Sequence, residues 1–214
     1  VVDVAIVAPP QAAPGQLPVR GQVTAVYRAS RDELQVDQFR LNTMASEINA
    51  SGSLSASSSL KVTATSHDLK EWRPLIQAAY GPGTLPFTVH GWANFNGVLT
   101  GRLSFMQVNG DLEVYDFETV LPAGQQRPEQ SIHWDALTAT IQYSSKNFSA
   151  HNGVLLHGHT NARFELSSGL IAGKSPSTSP LTLHIELRNA DVNEIVQLAG
   201  VHRPISGTGD LVFN

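Results

Sequence analysis

Three neighbouring histidines are the residues whose type and spacing could do chemistry. His151, His157 and His159 lie close together, and His157 and His159 are two residues apart. On a β-strand that spacing places both imidazoles on one face, where they could share a metal ion. The chain has no cysteine and no carboxylate pair nearby to complete a ligand set. We therefore interpret the three histidines as polar surface residues and predict no metal site.

The carboxylates, the serines and one Trp-Asp pair offer no catalytic arrangement either. Asp and Glu occur singly, as at Asp111 and Glu113, without a general acid set against a general base. The serine-rich run 55–59 lacks the Gly-x-Ser-x-Gly elbow of a nucleophile. Trp134-Asp135 resembles a propeller motif, but no repeat of roughly 40 to 45 residues accompanies it, so Trp134 is interpreted as a packing residue at a sheet edge. We predict that the chain is not an enzyme and needs no cofactor.

Composition argues against several other classes of function. The chain has 214 residues, of which 41% are hydrophobic and only 15% charged, and its formal charge is −4. Without a dense run of Lys and Arg, such a chain is not expected to bind nucleic acid. No apolar run approaches the roughly 18 residues of a membrane-spanning helix. Any targeting signal or membrane anchor is therefore expected outside this chain.

Short segments that alternate apolar and polar residues recur along the chain, most clearly at 137–143 and 181–187. This alternation is typical of half-buried β-strands, and about a dozen segments show it, so the fold is predicted to be mainly β. Asn109-Gly110 and Asn152-Gly153 each separate two such segments, which favours tight hairpin turns. Consecutive strands are therefore expected to pair in antiparallel fashion.

Two segments have helical character and are related by a constant offset. Residues 68–80 and 191–199 each open with Asp-x-x-Glu, the pattern of an N-cap with a reciprocal Glu, and Asp68 falls on Asp191 at an offset of 123 residues. An alternating segment precedes each one, and a segment with Pro and Gly follows. The chain is thus predicted to span about one period of a repeat that contains two short capping helices.

The predicted repeat divides the chain into three parts. Residues 1–16 are expected to end a preceding unit in a Pro-rich loop, 17–180 to form one β unit, and 181–214 to begin the next. Strand-like apolar runs lie at both termini. We therefore expect the chain to be an excerpt from a longer, repeat-built protein.

Several of these segments together resemble the AsmA/TamB family of large cell-envelope proteins of Gram-negative bacteria. The resemblance covers most of the chain and rests on small-residue and strand patterns. The segments that carry it are 21–27, 34–41, 46–54, the Asp-Leu start of the first helix, 89–91, 97–103, 108–112 and 204–209.

The resemblance implies a repetitive antiparallel sheet that curls into an open apolar groove, a β-taco. It further implies a periplasm-spanning protein, anchored in the inner membrane by a segment outside this excerpt, that carries phospholipid between the inner and outer membranes. Support of outer-membrane assembly is the other activity it implies. An outer-membrane barrel protein is then an expected partner at one end of the full-length protein.

The alternating strands agree with that implication, because two short helices cannot cover their apolar face. A second sheet, the curl of the same sheet or a ligand must do so, and acyl chains would suit, since each buried methylene contributes about 0.8 kcal/mol. The alternative is a closed β-sandwich or solenoid that serves as a structural or adhesin-like module, with the same residues in a sealed core. The candidate groove residues are Val23, Ala25, Tyr27, Leu34, Val36, Leu60, Val62, Leu137, Ile141, Tyr143, Phe164, Leu166, Leu183 and Ile185.

Overall fold

The described part of the chain forms one antiparallel sheet of twelve strands that lie side by side in sequence order. The coordinates are a computed structural model, and they describe residues 2–6, 17–74, 88–101, 105–121, 130–170, 181–191 and 207–213. The predicted mainly β fold and the antiparallel pairing of consecutive strands are confirmed.

Long strands occupy the middle of the sheet, and shorter ones lie toward its edges. In chain order they are β1 (Val2–Ile6), β2 (Arg20–Arg28), β3 (Glu33–Asn42), β4 (Ser46–Leu54), β5 (Ser58–Ser66), β6 (Thr88–Gly101), β7 (Gln107–Leu121), β8 (Gln130–Tyr143), β9 (Asn147–His157), β10 (Thr160–Gly169), β11 (Leu181–Asp191) and β12 (Thr208–Phe213). Among these strands β1 does not pair with β12, so the sheet is open rather than a closed barrel.

Strand register sorts the side chains onto an apolar and a polar face. Residues directly opposite each other on neighbouring strands share a face. Val23 of β2 lies opposite Phe39 of β3, whereas the adjacent Gln22 lies opposite Arg40. The same division recurs from strand to strand, because each sequence alternates between the two environments. We call the side that carries Val23 the apolar face and the other side the polar face.

β-Bulges keep apolar residues on the apolar face where simple alternation would turn them away. Between β2 and β3 the register shifts by one residue, so Val36 and Phe39, three positions apart, point to the same side. On β7 the register against β6 also shifts, and Asp116 adopts a positive φ of 47°. Val114 and Phe117 on either side of this shift therefore belong to one apolar cluster.

The two Asn-Gly dipeptides do not form hairpin turns, so that prediction is wrong. Asn109-Gly110 lies inside β7 and Asn152-Gly153 lies inside β9. Asn152, at a φ of 52°, coincides with a register shift against β8 and forms a bulge. The turns that the structure contains use other residues, such as Gly158-His159 between β9 and β10.

Glycines in these strands make room for aromatic rings instead. Gly97 lies opposite Gly110, and a Cβ atom on either residue would lie 2.6 Å from Cζ of Phe95. On β9, a Cβ atom on Gly153 would lie 2.5 Å from Cζ of Phe164, its partner across the sheet. The rings therefore lie flat over glycine backbone on the apolar face, which a turn prediction from the dipeptide alone misses.

The two predicted capping helices are not seen in the described residues. Leu69–Trp72 forms a 3-10 helix, and residues 75–80 and 192–199 lie outside the described part of the chain. Asp68 caps this turn as predicted, since its Oδ1 accepts a hydrogen bond from the backbone nitrogen of Lys70 at 2.9 Å. Glu71 does not complete the reciprocal cap, because its carboxylate binds the turn between β3 and β4.

Burial is shallow because one layer of sheet leaves its apolar face without a second sheet in the described residues. No large side chain among them is completely buried. One cluster of buried apolar residues consists of Ala93, Val114 and Phe117, with Leu69, Leu112, Trp134, Leu137 and Leu155 packed around it. This cluster lies near the middle of the sheet, on β6 to β9.

The predicted repeat agrees with the order of the elements. The offset of 123 residues maps the start of β5 onto the start of β11. Each of these strands is followed by a connecting segment and an antiparallel partner, β6 or β12. All neighbours in this sheet are antiparallel, however, so the repeat and the three-part division of the chain stay predictions.

Candidate functional site

All the predicted groove residues lie on the apolar face. Tyr27 lies opposite Leu34, and Leu166 lies opposite Leu183. A continuous row of directly paired residues links the two ends of the set across ten strands. From β2 to β11 this row consists of Ala25, Val36, Gly52, Leu60, Leu99, Val108, Tyr143, Phe148, Ser168 and Leu181.

The same face includes apolar residues that the sequence analysis did not single out. Among them are Phe39, Leu41, Ile48, Ala50, Leu54, Ala93, Phe95, Leu99, Val108, Leu112, Val114, Ala139, Phe148, Ala150, Leu155, Ala162 and Leu187. On β6 the alternation was hidden by Gly97 and Gly101, which occupy apolar-face positions without an apolar side chain. Counting glycine as neutral in the alternation would have revealed this strand.

Exposure differs across the predicted residues. Ala25, Val36 and Leu60 are buried by their neighbours within the sheet. Tyr27 and Leu183, which lie nearer the two ends of the sheet, keep 55% and 40% of their surface exposed. The apolar face is thus accessible toward both ends and more closely packed between them.

The 3-10 helix Leu69–Trp72, which we call the strap, crosses one end of the apolar face. Leu69 packs against the buried cluster on β6 and β7. The indole Nε1 of Trp72 donates a hydrogen bond to Oγ of Ser46 at 3.0 Å and lies 3.4 Å from Oγ of Ser66. These two serines face each other on β4 and β5 at apolar-face positions. The strap therefore covers the part of the apolar face where Ser46 of β4 and Ser66 of β5 lie beside the cluster on β6 and β7.

Glu71 anchors the strap to the turn between β3 and β4. Its Oε1 accepts a hydrogen bond from the hydroxyl of Thr43 at 2.7 Å and another from the hydroxyl of Ser46. Its Oε2 accepts one from the backbone nitrogen of Ala45 at 3.1 Å. Both carboxylate oxygens are thus used, and the anchor is charge-assisted on every contact.

The charged strand residues in the described part of the chain lie on the polar face. Among the described strand residues, no Asp, Glu, Lys or Arg occupies an apolar-face position in the register. Ion pairs lie on the other side, for example Arg188 with Glu186 at 3.2 Å. Hydrogen bonding from His184, and then from Arg188, lowers the pKa of Glu186. Because these groups are exposed, each pair contributes little to stability.

One predicted groove residue has a polar contact of its own. The hydroxyl of Tyr27 donates a hydrogen bond to Oδ1 of Asp32 at 2.8 Å. This bond, followed by the negative charge of Asp32, raises the pKa of Tyr27. The phenol therefore stays neutral at the rim of the apolar face.

The three histidines are not brought together. β9 ends at His157, and Gly158 at a φ of 56° begins the turn that contains His159, so the prediction that His157 and His159 share a strand face is wrong. Nδ1 of His157 lies 2.7 Å from the carbonyl oxygen of His133. His151 lies 3.8 Å from a carboxylate oxygen of Glu165 on the polar face. The described residues contain no cluster of three His, Asp or Glu side chains arranged to hold a metal ion.

Trp134 packs as predicted, although in the middle of the sheet rather than at an edge. Its ring stacks on Phe117 with centroids 6.3 Å apart, and His157 meets it edge-on at 5.7 Å. Its Nε1 donates to Oγ1 of Thr119 at 2.9 Å. Trp134 thus extends the buried cluster toward β9.

Comparison with known proteins finds no match to a protein-family model, to a curated protein or to a solved structure. Within the described residues, no helix has the length and apolar character needed to cross a membrane.

Proposed function

We propose that this chain is a segment of an AsmA/TamB-like protein whose apolar face shelters phospholipid acyl chains on their way between the inner and outer membranes. In this proposal the full-length protein spans the periplasm, is anchored in the inner membrane outside this segment and meets an outer-membrane barrel protein at one end. Support of outer-membrane assembly is the other activity that fits this proposal. The observation that carries the proposal is a charge-free apolar face, continuous over the strands of one open sheet.

The chemistry of the face suits hydrocarbon. An acyl chain needs no polar recognition, because removal of each methylene from water contributes about 0.8 kcal/mol. Neighbouring positions of the face are nearly equivalent, so a chain could move along it without crossing a charged residue. Eleven spacings of about 4.8 Å between twelve strands make the face about 50 Å across.

The finer fold that we propose is a groove made by the curl of this sheet. Strands twist intrinsically, and bulges increase the local twist and bend the strand. Register shifts occur on β3, β7 and β9 and are therefore spread across the sheet. The strap then closes part of one rim, where Leu69 packs on the apolar cluster.

The test introduces a charge on each face of the same strand. Leu183→Asp and Ile141→Asp place a carboxylate on the apolar face, and Thr182→Asp and Gln142→Asp place one on the polar face at the adjacent position. Burial of an unpaired charge under hydrocarbon is costly, so only the first pair should lose lipid. The measurements are phospholipid copurification by mass spectrometry, and lipid crosslinking from a photoreactive residue at position 141.

The proposal predicts that lipid crosslinks to position 141 and that the apolar-face variants lose most copurified lipid while their matched controls keep it. Equal lipid content in all four variants, or no lipid at all in the wild type, would count against it. The alternative is a closed β-sandwich or solenoid that serves as a structural or adhesin-like module, in which other protein, such as a second copy of the sheet, seals the apolar face. A dimer in light scattering that contains no copurified lipid would support this alternative.

A further inference from the structure

The three central strands β6, β7 and β8 concentrate the negative charge of the chain. Their sequences contain five of the 18 acidic residues and none of the 14 Lys and Arg. These strands therefore sum to −5, and the rest of the chain sums to +1. The five acidic residues are all exposed, and they are Asp111, Glu113, Asp116, Glu118 and Asp135.

An exposed aromatic pair lies among these carboxylates on the polar face. Trp92 of β6 lies directly opposite Tyr115 of β7, one position out of phase with Ala93 and Val114 of the apolar face. The two rings stack with centroids 4.4 Å apart and planes inclined by 23°. Trp92 remains 38% exposed. The polar face therefore presents a large aromatic surface to solvent.

The carboxylates lie on both sides of the aromatic pair along the strands. Glu113 is two residues from Tyr115 on one side, and Glu118 lies opposite His90 on the other, with Asp116 between Glu118 and the pair. Desolvation, and then the negative charge of Glu113, raise the pKa of Tyr115. A group that contacts the rings would therefore also reach a carboxylate.

Sheet stability alone would explain a cross-strand aromatic pair, since such pairs contribute to strand pairing. It does not explain why Lys and Arg are missing from the surrounding strands. Elsewhere on the polar face opposite charges neighbour each other, as in the pairs Arg28–Glu33 and Arg40–Glu47. The three strands around Trp92 contain no Lys or Arg, although Nε2 of His133 lies 3.7 Å from a carboxylate oxygen of Asp116.

We propose that Trp92, Tyr115, Glu113, Asp116 and Glu118 form an aromatic-acidic patch that docks an arginine-bearing segment of a partner protein. A guanidinium group stacks on an indole face and binds carboxylates through paired N–H groups, so it meets both features of the patch. Nucleic acid and anionic lipid surfaces would be repelled by the same charges. This inference does not depend on the lipid proposal, because it concerns the opposite face of the sheet.

The probe for this proposal is a fluorescein-labelled peptide with four arginines spaced by Gly and Ser, compared with the same peptide carrying lysines. Binding to the full chain is measured by fluorescence anisotropy at low and at physiological ionic strength. The patch variants are Trp92→Leu and the triple variant Glu113→Gln, Asp116→Asn, Glu118→Gln. The matched control is Glu47→Gln with Glu165→Gln, which removes exposed polar-face carboxylates outside the patch. Circular dichroism verifies that each variant is folded.

The proposal predicts that the arginine peptide binds more tightly than the lysine peptide. It also predicts that Trp92→Leu weakens binding of the arginine peptide by roughly 2- to 5-fold, the range of an exposed cation–π contact. The triple variant should weaken it further and reduce its salt dependence, whereas the control should not. Equal loss in the control and triple variants would overturn the proposal. Equal binding of both peptides would also overturn it. The triple variant retains both aromatic rings, so it stays informative if Trp92→Leu does not fold.

Discussion

Removal of the Glu71 carboxylate should free the strap from the apolar face. In Glu71→Ala the backbone N–H of Ala45 loses its acceptor, and the hydroxyls of Thr43 and Ser46 lose a charged partner. Ser46 keeps its contacts with Ser66 and Trp72, so it is not left unsatisfied. Glu71→Ala should therefore lower the free energy of unfolding by about 3 kcal/mol, because it leaves one part-buried donor unsatisfied and removes one or two charge-assisted hydrogen bonds.

In a chain of this size, about 3 kcal/mol corresponds to a decrease in Tm of about 6 to 12 °C. Thermal unfolding followed by circular dichroism measures this decrease in Tm. Hydrogen exchange should be faster in Glu71→Ala than in the wild type at residues 43–46 and 66–74, with little change in β8 and β9. The control is Glu47→Ala, which removes an exposed carboxylate one residue from Ser46 and should cost less than about 0.5 kcal/mol. If Glu71→Ala is no more destabilising than Glu47→Ala, the strap is not anchored in this way.

Two further predictions concern the glycines and the polar face. Gly97→Ala should destabilise the chain by about 1 to 3 kcal/mol in urea unfolding, because the new methyl group would overlap the backbone oxygen of Asn109 and the ring of Phe95. Since Phe95→Ala removes the second of these overlaps, it should cost less stability in the Gly97→Ala background than in the wild type. Because the folded-state pKa of Glu186 is lowered, its contribution to stability is present above the unfolded-state pKa and is lost as pH falls through the folded-state value. An NMR titration should place this pKa below that of an ordinary exposed Glu, and His184→Asn should raise it again; an unchanged value in that variant would contradict the assigned cause.

The number of strands and the face of each candidate residue could be predicted because alternation records a physical contrast between two environments. Leu181 to Leu187 alternates strictly, and the structure places its odd-numbered residues on the apolar face throughout. Where a bulge adds one residue to a strand, apolar residues still lie on the apolar face, but they are three positions apart in the sequence instead of two. Val36 and Phe39 illustrate this, since a strict period of two assigns them to opposite faces.

The described start of the first predicted helix is a 3-10 turn, because Asp-x-x-Glu satisfies its donors and acceptors in more than one way. Asp68 caps the turn in either case. Glu71 can reach back to the N-cap or reach across to another element, and the choice depends on Ser46 and Thr43, which are distant in sequence. Local sequence does not contain that information.

The aromatic-acidic patch was missed for a different reason. The acidic residues occur singly in the sequence, as at Asp111 and Glu113, and no local motif connects them with Trp92. The informative signal was the absence of Lys and Arg from the three longest strands, together with Trp92 out of phase with the apolar residues of β6. Comparing charge between strands, rather than within motifs, would have revealed it.

A sheet of one layer needs a cover that its own described residues supply only in part. The strap covers the end near Ala93 and Phe117, whereas Tyr27 and Leu183 toward the two ends remain open. Exposed ion pairs on the polar face add little free energy, so the outer strands depend on whatever lies against their apolar side. The curl of the sheet and a second copy would both cover it with side chains fixed in place. In the function that we propose, hydrocarbon lies against the face inside the curl of the sheet, and it can be exchanged along the face while every hydrogen bond between strands is kept.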